Sequence, residues 1–198
     1  MPRKSPTSDS VDAGSINPVE AVELAIAAEQ GNLASAVGTG TRARGNNNAS
    51  VRLGFLGQLE EALAHSEAAV ALQRQLKTDA PDVSASELAA FLKNLSNCLG
   101  ALGRWEEALA AIGEAIAIDR QAAVARPDAS VHLVGGLTNL SAILCALGRP
   151  EEALAACEEA VALLPEPPVG QLDTFLPVSA VLLNNLAVSL LALAQFSS

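Results

Sequence analysis

The chain has 198 residues and a formal net charge of −10, and half of it is apolar although only 3% is aromatic. The apolar half consists mainly of 39 alanines and 30 leucines, which favour helices over strands. This composition nearly excludes an all-β fold and is too apolar for a disordered chain. The 22 acidic against 12 basic residues argue against nucleic-acid binding, because phosphate contacts rely on clustered lysine and arginine.

The cysteines and the N-terminal residues indicate the cellular compartment in which the chain is expected. Cys98, Cys145 and Cys157 are odd in number and form no CxxC pair, so a disulfide framework or a zinc site is disfavoured and a reducing, cytoplasmic compartment is expected. Residues 1–16 are polar and charged without an apolar segment, which excludes an ordinary secretory signal and predicts a disordered tail.

A repeat of 45 to 46 residues organises the chain. The pattern Leu-Gly-x-x-Glu-Glu-Ala-Leu begins at Leu56, Leu102 and Leu147. A second marker, Asn-Leu-Ser or Asn-Leu-Ala, keeps the same spacing at Asn94, Asn139 and Asn185. Because independent markers share one period, we interpret the chain as a repeat array.

Each period predicts two helices joined by a tight turn. In the middle copy, residues 83–101 place leucines at steps of three and four, which is one face of a helix, and Gly103 suits the left-handed conformation that closes it. The second helix covers residues 105–122 and begins with acidic residues that favour a helix start. In the third copy, Pro150 takes the first helical position.

The two ends of the array depart from the repeat. Residues 17–46 predict a degenerate or partial repeat before an array over residues 47–198. Gly45 and Asn46 stand in a polar run where the middle copy has apolar residues, so we expect a short or frayed helix there.

Residues 181–193 repeat the first type of helix, and the chain then stops before a second one. The apolar face of this C-terminal helix therefore predicts either that the chain is a fragment of a longer protein or that this face meets a partner, including self-association. The apolar stretch 178–196 has the length of a transmembrane helix. However, Asn184 and Asn185 disfavour a membrane span, and the repeat alignment accounts for the apolar residues. We therefore expect no membrane span.

The two-helix unit with its Leu-Gly-Arg-x-Glu-Glu-Ala-Leu turn resembles the tetratricopeptide repeat. Small residues recur at Ala62, Ala108 and Ala153, and the period and the Leu-Asn-Asn-Leu-Ala of residues 183–187 resemble the longer variant of kinesin light chains. Ala-rich versions occur in bacterial proteins. The resemblance implies an all-α fold, an α-solenoid wound as a right-handed superhelix. It departs from the family's short repeat at Arg120, where a proline is usual.

The repeated asparagines are the candidate peptide-binding residues. Asn94, Asn139 and Asn185 hold one position per repeat, with Asn48 a period earlier, and asparagine can pair with the main chain of an extended peptide. The resemblance implies the same use, in a concave groove. The alternative is that these amides stabilise the stacking of repeats. Asn97 is expected on the same side, and Lys93 either meets a ligand carboxylate or is a solvated lysine.

Other chemistry-bearing residues predict no catalytic site. Trp105 follows the turn and is expected to pack, and the recurring Glu-Glu pairs are expected at helix starts. His65 and His132 occupy non-equivalent positions, and no phosphate loop or nucleophile motif is present, so no enzyme activity, cofactor or metal is predicted. The predicted function is a scaffold that binds a protein or peptide segment. The alternative is a regulatory repeat region of a larger signalling NTPase or protease.

Overall fold

The computed structural model describes residue 26 and residues 38–76, 81–126, 129–164 and 172–196. Within these ranges the chain forms seven long helices, which are α1 (Thr39–Phe55), α2 (Leu59–Gln75), α3 (Pro81–Ala101), α4 (Trp105–Ala125), α5 (Ser130–Ala146), α6 (Pro150–Leu163) and α7 (Leu172–Phe196). The predicted tail, residues 1–16, lies outside the described residues. Of the predicted partial repeat, residues 17–37 also lie outside the described residues, apart from Ile26, which is helical and buried.

The helices pack in the order of a repeat array. Helices α1 and α2, α3 and α4, and α5 and α6 form pairs, and the second helix of each pair packs against the first helix of the next. Helix α7 packs on α6 and also on α5. The fold is therefore the predicted all-α solenoid, in which successive pairs share one continuous core.

Glycine closes the first helix of each pair. Gly57, Gly103 and Gly148 have φ values of +76°, +73° and +68°, a conformation that glycine adopts without a steric cost. After Gly103, the amide of Arg104 donates to the carbonyl oxygen of Leu99 at 2.9 Å, and the same bond recurs at the other two turns. This Schellman geometry satisfies the free carbonyl groups at the helix end and sets the second helix against the first.

Alanine and leucine side chains form most of the buried core. Six alanines of the second helices are fully buried, at Ala62, Ala69, Ala108, Ala115, Ala153 and Ala160. Their small side chains let the paired helices approach closely. Leu92 and Leu137 belong to the main core cluster and are 1% and 0% exposed. Ile26 belongs to a smaller cluster with Ala49, Leu53 and Ala62 at the beginning of the array.

The expectation of a short or frayed helix around Gly45 and Asn46 is wrong. Helix α1 runs unbroken for 17 residues through this polar run and across residue 46. Asn46 donates from Nδ2 to the carbonyl oxygen of Arg42 at 2.9 Å, and its Oδ1 lies 2.8 Å from Nδ1 of His65 on α2. Packing against α2 and α3 therefore overrides the low helix propensity of this sequence.

The C-terminal repeat helix forms where the sequence predicts it. Leu182 and Ser189 on α7 are 1% and 0% exposed, so one face of the helix is packed on the preceding pair. Across the described helices, none combines the length and the apolar character that a membrane crossing requires.

Candidate binding groove

The first helices of the pairs build a surface with two shallow depressions. We define the first-helix surface by Val51, Asn94, Asn97, Ala101, Asn139 and Ala142. A depression of about 220 Å³ lies between α1 and α3 and is lined by Val51, Asn94, Asn97 and Ala101. A second depression of about 180 Å³ lies between α3 and α5 and is lined by Asn97, Asn139 and Ala142. The predicted residues Asn94, Asn97 and Asn139 are thus brought together.

Two amide pairs cross between neighbouring helices on this surface. Nδ2 of Asn94 donates to Oδ1 of Asn47 at 2.8 Å, and Nδ2 of Asn139 donates to Oδ1 of Asn97 at 3.1 Å. Among the described residues, Oδ1 of Asn94 and Oδ1 of Asn139 accept no hydrogen bond. Because the opposite amide fixes each of these side chains, the two carbonyl oxygens keep a defined orientation and a free acceptor position at the surface.

The partner of Asn94 on α1 is Asn47, whereas the repeat equivalent of Asn94, 46 residues earlier, is Asn48. Asn48 is exposed and lies beside the amide pair without joining it. Counting back 46 residues from Asn94, which is the distance between Gly57 and Gly103, gives Asn48, so the period alone does not identify Asn47 as the partner. The run of three asparagines in α1 was the signal, but the contact with Asn94 selects the middle one.

Asn185 occupies the same repeat position but has a different environment. It is 8% exposed, and its Nδ2 donates to the carbonyl oxygen of Thr138 at 3.0 Å and to Oγ of Ser141 at 2.9 Å. Both amide hydrogens therefore hold α7 against α5. This arrangement corresponds to the alternative that the repeated asparagines stabilise stacking.

Lys93 is held inside the protein rather than solvated. Its Nζ lies 2.9 Å from Oδ2 of Asp119 and donates to the carbonyl oxygen of His132 at 3.2 Å. The side chains of Lys93 and Asp119 are 17% and 6% exposed. The pair lies on the wall of a cleft of about 420 Å³ between α3, α4 and α5, which Arg126 also lines. Asp119 thus balances the charge of Lys93, for which contact with a ligand carboxylate was one of the two alternatives.

Trp105 packs as the sequence predicts. Its ring lies over Gly100, where an added Cβ would stand 3.1 Å from a ring carbon. The partly buried ring joins the main core from the edge of the second depression. Gly100 therefore makes room for the only tryptophan of the chain.

The acidic residues at the helix starts form local ion pairs. Nε and Nη2 of Arg104 donate to the two carboxylate oxygens of Glu107 at 2.6 Å, and Arg149 and Glu152 repeat this arrangement. The hydrogen bonds from the arginines lower the pKa of each glutamate below its ordinary value. These exposed pairs connect the turn to the second helix.

The cysteines and histidines do not converge on a reactive centre. Cys157 is fully buried, and burial raises the pKa of its thiol. Sγ of Cys98 and of Cys145 lie 3.4 Å from the hydroxyls of Ser50 and Ser189 on neighbouring helices. In the part of the chain that the structure describes, no three His, Cys, Asp or Glu side chains are placed to hold a metal ion.

A ladder of ion pairs joins the second helices, and the sequence analysis missed it. Arg74 on α2 pairs with Glu114 on α4, and Arg120 on α4 pairs with Glu159 on α6, where Nη2 and Oε2 are 2.7 Å apart. The two arginines are one period apart, and so are the two glutamates. This ladder gives Arg120, which departs from the family pattern, a contact to the next repeat.

Comparisons with known proteins agree with this geometry. A family model described as Tetratricopeptide repeat matches residues 136–164, which run from within α5 to just past α6. No curated protein matches the chain.

Two solved structures are similar over most of the chain. One is a crystal structure of putative kinesin light chain nearly identical TPR-like repeats from Podosopora anserina, with 21% identity, coverage of 88% of this chain and 80% of that chain, and a TM-score of 0.64. A glutamine-to-methionine variant of it also has 21% identity, with coverage of 88% and 79% and a TM-score of 0.66. At this identity the likeness establishes the fold alone. Residues 136–164 thus match a tetratricopeptide repeat, and the chain shares the fold of structures built from tetratricopeptide-like repeats.

Proposed function

We propose that the chain is a non-catalytic scaffold that binds an extended segment of a partner protein on the first-helix surface. The observation that carries this proposal is the two hydrogen-bonded amide pairs beside the depressions. Asn94 pairs with Asn47, and Asn139 pairs with Asn97. Tetratricopeptide repeats generally act as scaffolds for protein interactions. An extended peptide has main-chain N–H and C=O groups at regular intervals, which are the complement of a row of amides.

The character of the surface supports recognition of the main chain over side chains. Its lining carries no charged side chain and is mainly apolar apart from the asparagines, and Ala101 and Ala142 leave room beside the amides. The charge of Lys93, the residue before Asn94, is neutralised by Asp119. We therefore assign direct contact to Asn94, Asn97 and Asn139. Lys93 and Asn185 act in this proposal as positioning residues, which hold α3, α5 and α7 together.

The proposal is tested with a displayed library of random peptides. Peptides selected on the wild-type chain are measured for affinity against the double variant Asn94→Ala/Asn139→Ala. Loss of two main-chain hydrogen bonds of about 1 kcal/mol each should weaken binding at least tenfold. Asn48→Ala is the matched control, because Asn48 is exposed on α1 and lies outside the amide pairs.

The helix content of each variant is checked by circular dichroism, so that unfolding is not mistaken for loss of contact. If the double variant binds the selected peptides as tightly as the wild type, the first-helix surface is not the binding site.

A further inference from the structure

Helix α7 presents an uncovered apolar face. Its large apolar side chains that are 44% to 65% exposed are Val181, Leu183, Val188, Leu190 and Leu191. Ala180, Ala187 and Ala194 are exposed along the same stretch. Alanines at intervals of seven residues, with Leu183 and Leu190 between them, form one stripe along the helix.

The same stripe is covered in the preceding repeats. The residues equivalent to Leu183 are Leu92 and Leu137, which are 1% and 0% exposed, whereas Leu183 is 61% exposed. The residues equivalent to Leu190 are Leu99 and Leu144, at 4% and 3%, whereas Leu190 is 50% exposed. The second helix of each pair covers this stripe in α3 and α5. A helix of similar shape is therefore the occupant that fits the face of α7.

The covering helices share a sequence feature with α7 itself. Helices α4 and α6 bring buried alanines at intervals of seven, namely Ala108 and Ala115, and Ala153 and Ala160. Helix α7 repeats this interval in Ala180, Ala187 and Ala194, beside the exposed leucines that such alanines cover. One face therefore carries both halves of a close helix pair, which makes it self-complementary.

We propose that two copies of the chain associate through α7, with the helices antiparallel about a two-fold axis at Ala187. In this arrangement, Leu183 packs against Leu191 of the partner subunit, and Ala180 lies opposite Ala194 of the partner subunit. Small residues at the axis let the two helix backbones approach closely.

Charge also favours a second copy at this face. The chain as a whole carries −10, which opposes the approach of two copies. However, no charged residue follows Asp173 in the sequence, so the exposed part of α7 is free of charge. Two copies can thus bury this face without bringing like charges together.

The mass of the chain in solution tests the proposal. Sedimentation of the wild type should give twice 20.2 kDa, and Leu183→Glu should give 20.2 kDa, because the antiparallel pair would bury two carboxylates. Val124→Glu is the matched control, since Val124 is 89% exposed on α4, away from α7. A wild type that stays at the mass of one chain up to about 100 μM, or oligomers larger than two, would overturn the proposal.

Cross-linking tests the direction of the pair. After Cys98 and Cys145 are replaced by alanine, Ala187→Cys should form a disulfide-linked dimer on mild oxidation, because the two-fold axis brings equivalent residues together. Ala180→Cys alone should not cross-link, whereas Ala180→Cys combined with Ala194→Cys should. Efficient cross-linking of Ala180→Cys alone would show a parallel pair and refute the antiparallel geometry. Peptide binding should be unchanged in Leu183→Glu, which separates this result from the test of the first-helix surface.

Discussion

The ion pair of Lys93 and Asp119 links three helices and allows a sharp test of the packing. Lys93→Met keeps the apolar stem of the side chain but removes the charge, so the carboxylate of Asp119, which is 6% exposed, loses its partner. Breaking a buried pair in this way costs about 3 to 5 kcal/mol. Because the side chain of Lys93 is 17% exposed, we expect a loss of stability at the lower end of this range, about 3 kcal/mol.

The reciprocal substitution should be milder. In Asp119→Leu, the ammonium group of Lys93 still donates to the carbonyl oxygen of His132 and can turn towards the adjacent cleft. We therefore expect a loss of about 2 kcal/mol. The double variant Lys93→Met/Asp119→Leu leaves no unpaired charge and should unfold within about 1 kcal/mol of the wild type.

Urea unfolding followed by circular dichroism measures these differences. A loss of 3 kcal/mol should lower the midpoint by about 1.5 M if the slope is about 2 kcal/mol per molar urea. Arg120→Met is the control, because its pair with Glu159 is exposed and should contribute no more than about 1 kcal/mol. The reasoning fails if the double variant is less stable than Lys93→Met, since the two losses would then not arise from one pair.

Three further predictions concern the core, the turns and the helix starts. Oγ of Ser66 is buried and has no hydrogen-bond partner in the described structure, so Ser66→Ala should raise the free energy of unfolding by about 1 kcal/mol. In contrast, Ser96→Ala removes the hydrogen bond to the carbonyl oxygen of Ala108 and should lower the free energy of unfolding. Gly103→Ala should lower the free energy of unfolding by about 1 kcal/mol, because φ is +73° at this residue. Gly113→Ala should raise the free energy of unfolding, because Gly113 lies inside α4 with open space around it. Urea unfolding measures both changes. Since arginine lowers the folded-state pKa of Glu107 and Glu152, these carboxylates stabilise the fold above the ordinary glutamate pKa and lose this effect as the pH falls through the lowered value. A Glu107→Gln/Glu152→Gln variant should therefore lose less stability on acidification, as an acid titration of helicity would show.

The helix pairs were predictable because their signals are local and repeated. Gly103 and Gly148 require positive φ, and Pro150 suits a first helical position, so the turn and the start of the second helix can be assigned from a few residues. The repeat then carries each assignment to the next copy. The length of helix α1 was not predictable in this way, because the helix is stabilised by residues far along the chain, for example by the hydrogen bond between Asn47 and Asn94.

The candidate site was predictable in position but not in detail. The period placed Asn94, Asn97 and Asn139 on one surface, and the structure brings them together there. A periodic pattern cannot tell what each copy meets, however. Asn185 meets the carbonyl oxygen of Thr138 and becomes buried, whereas Asn139 meets the amide of Asn97 and stays at the surface.

The ion-pair ladder shows that the repeat contains more information than single positions reveal. Arg74 and Arg120 are one period apart, and their partners Glu114 and Glu159 are too, so a search for opposite charges at repeated offsets of 39 to 40 residues would have found the ladder. The sequence has Pro165 one period after Arg120, so the ladder cannot continue to a further repeat through the same position. The uncharged stripe of α7 comes after this break. The exposed face of α7 therefore offers apolar packing in place of ion pairs, whereas its buried face also forms the hydrogen bonds of Asn185 with α5.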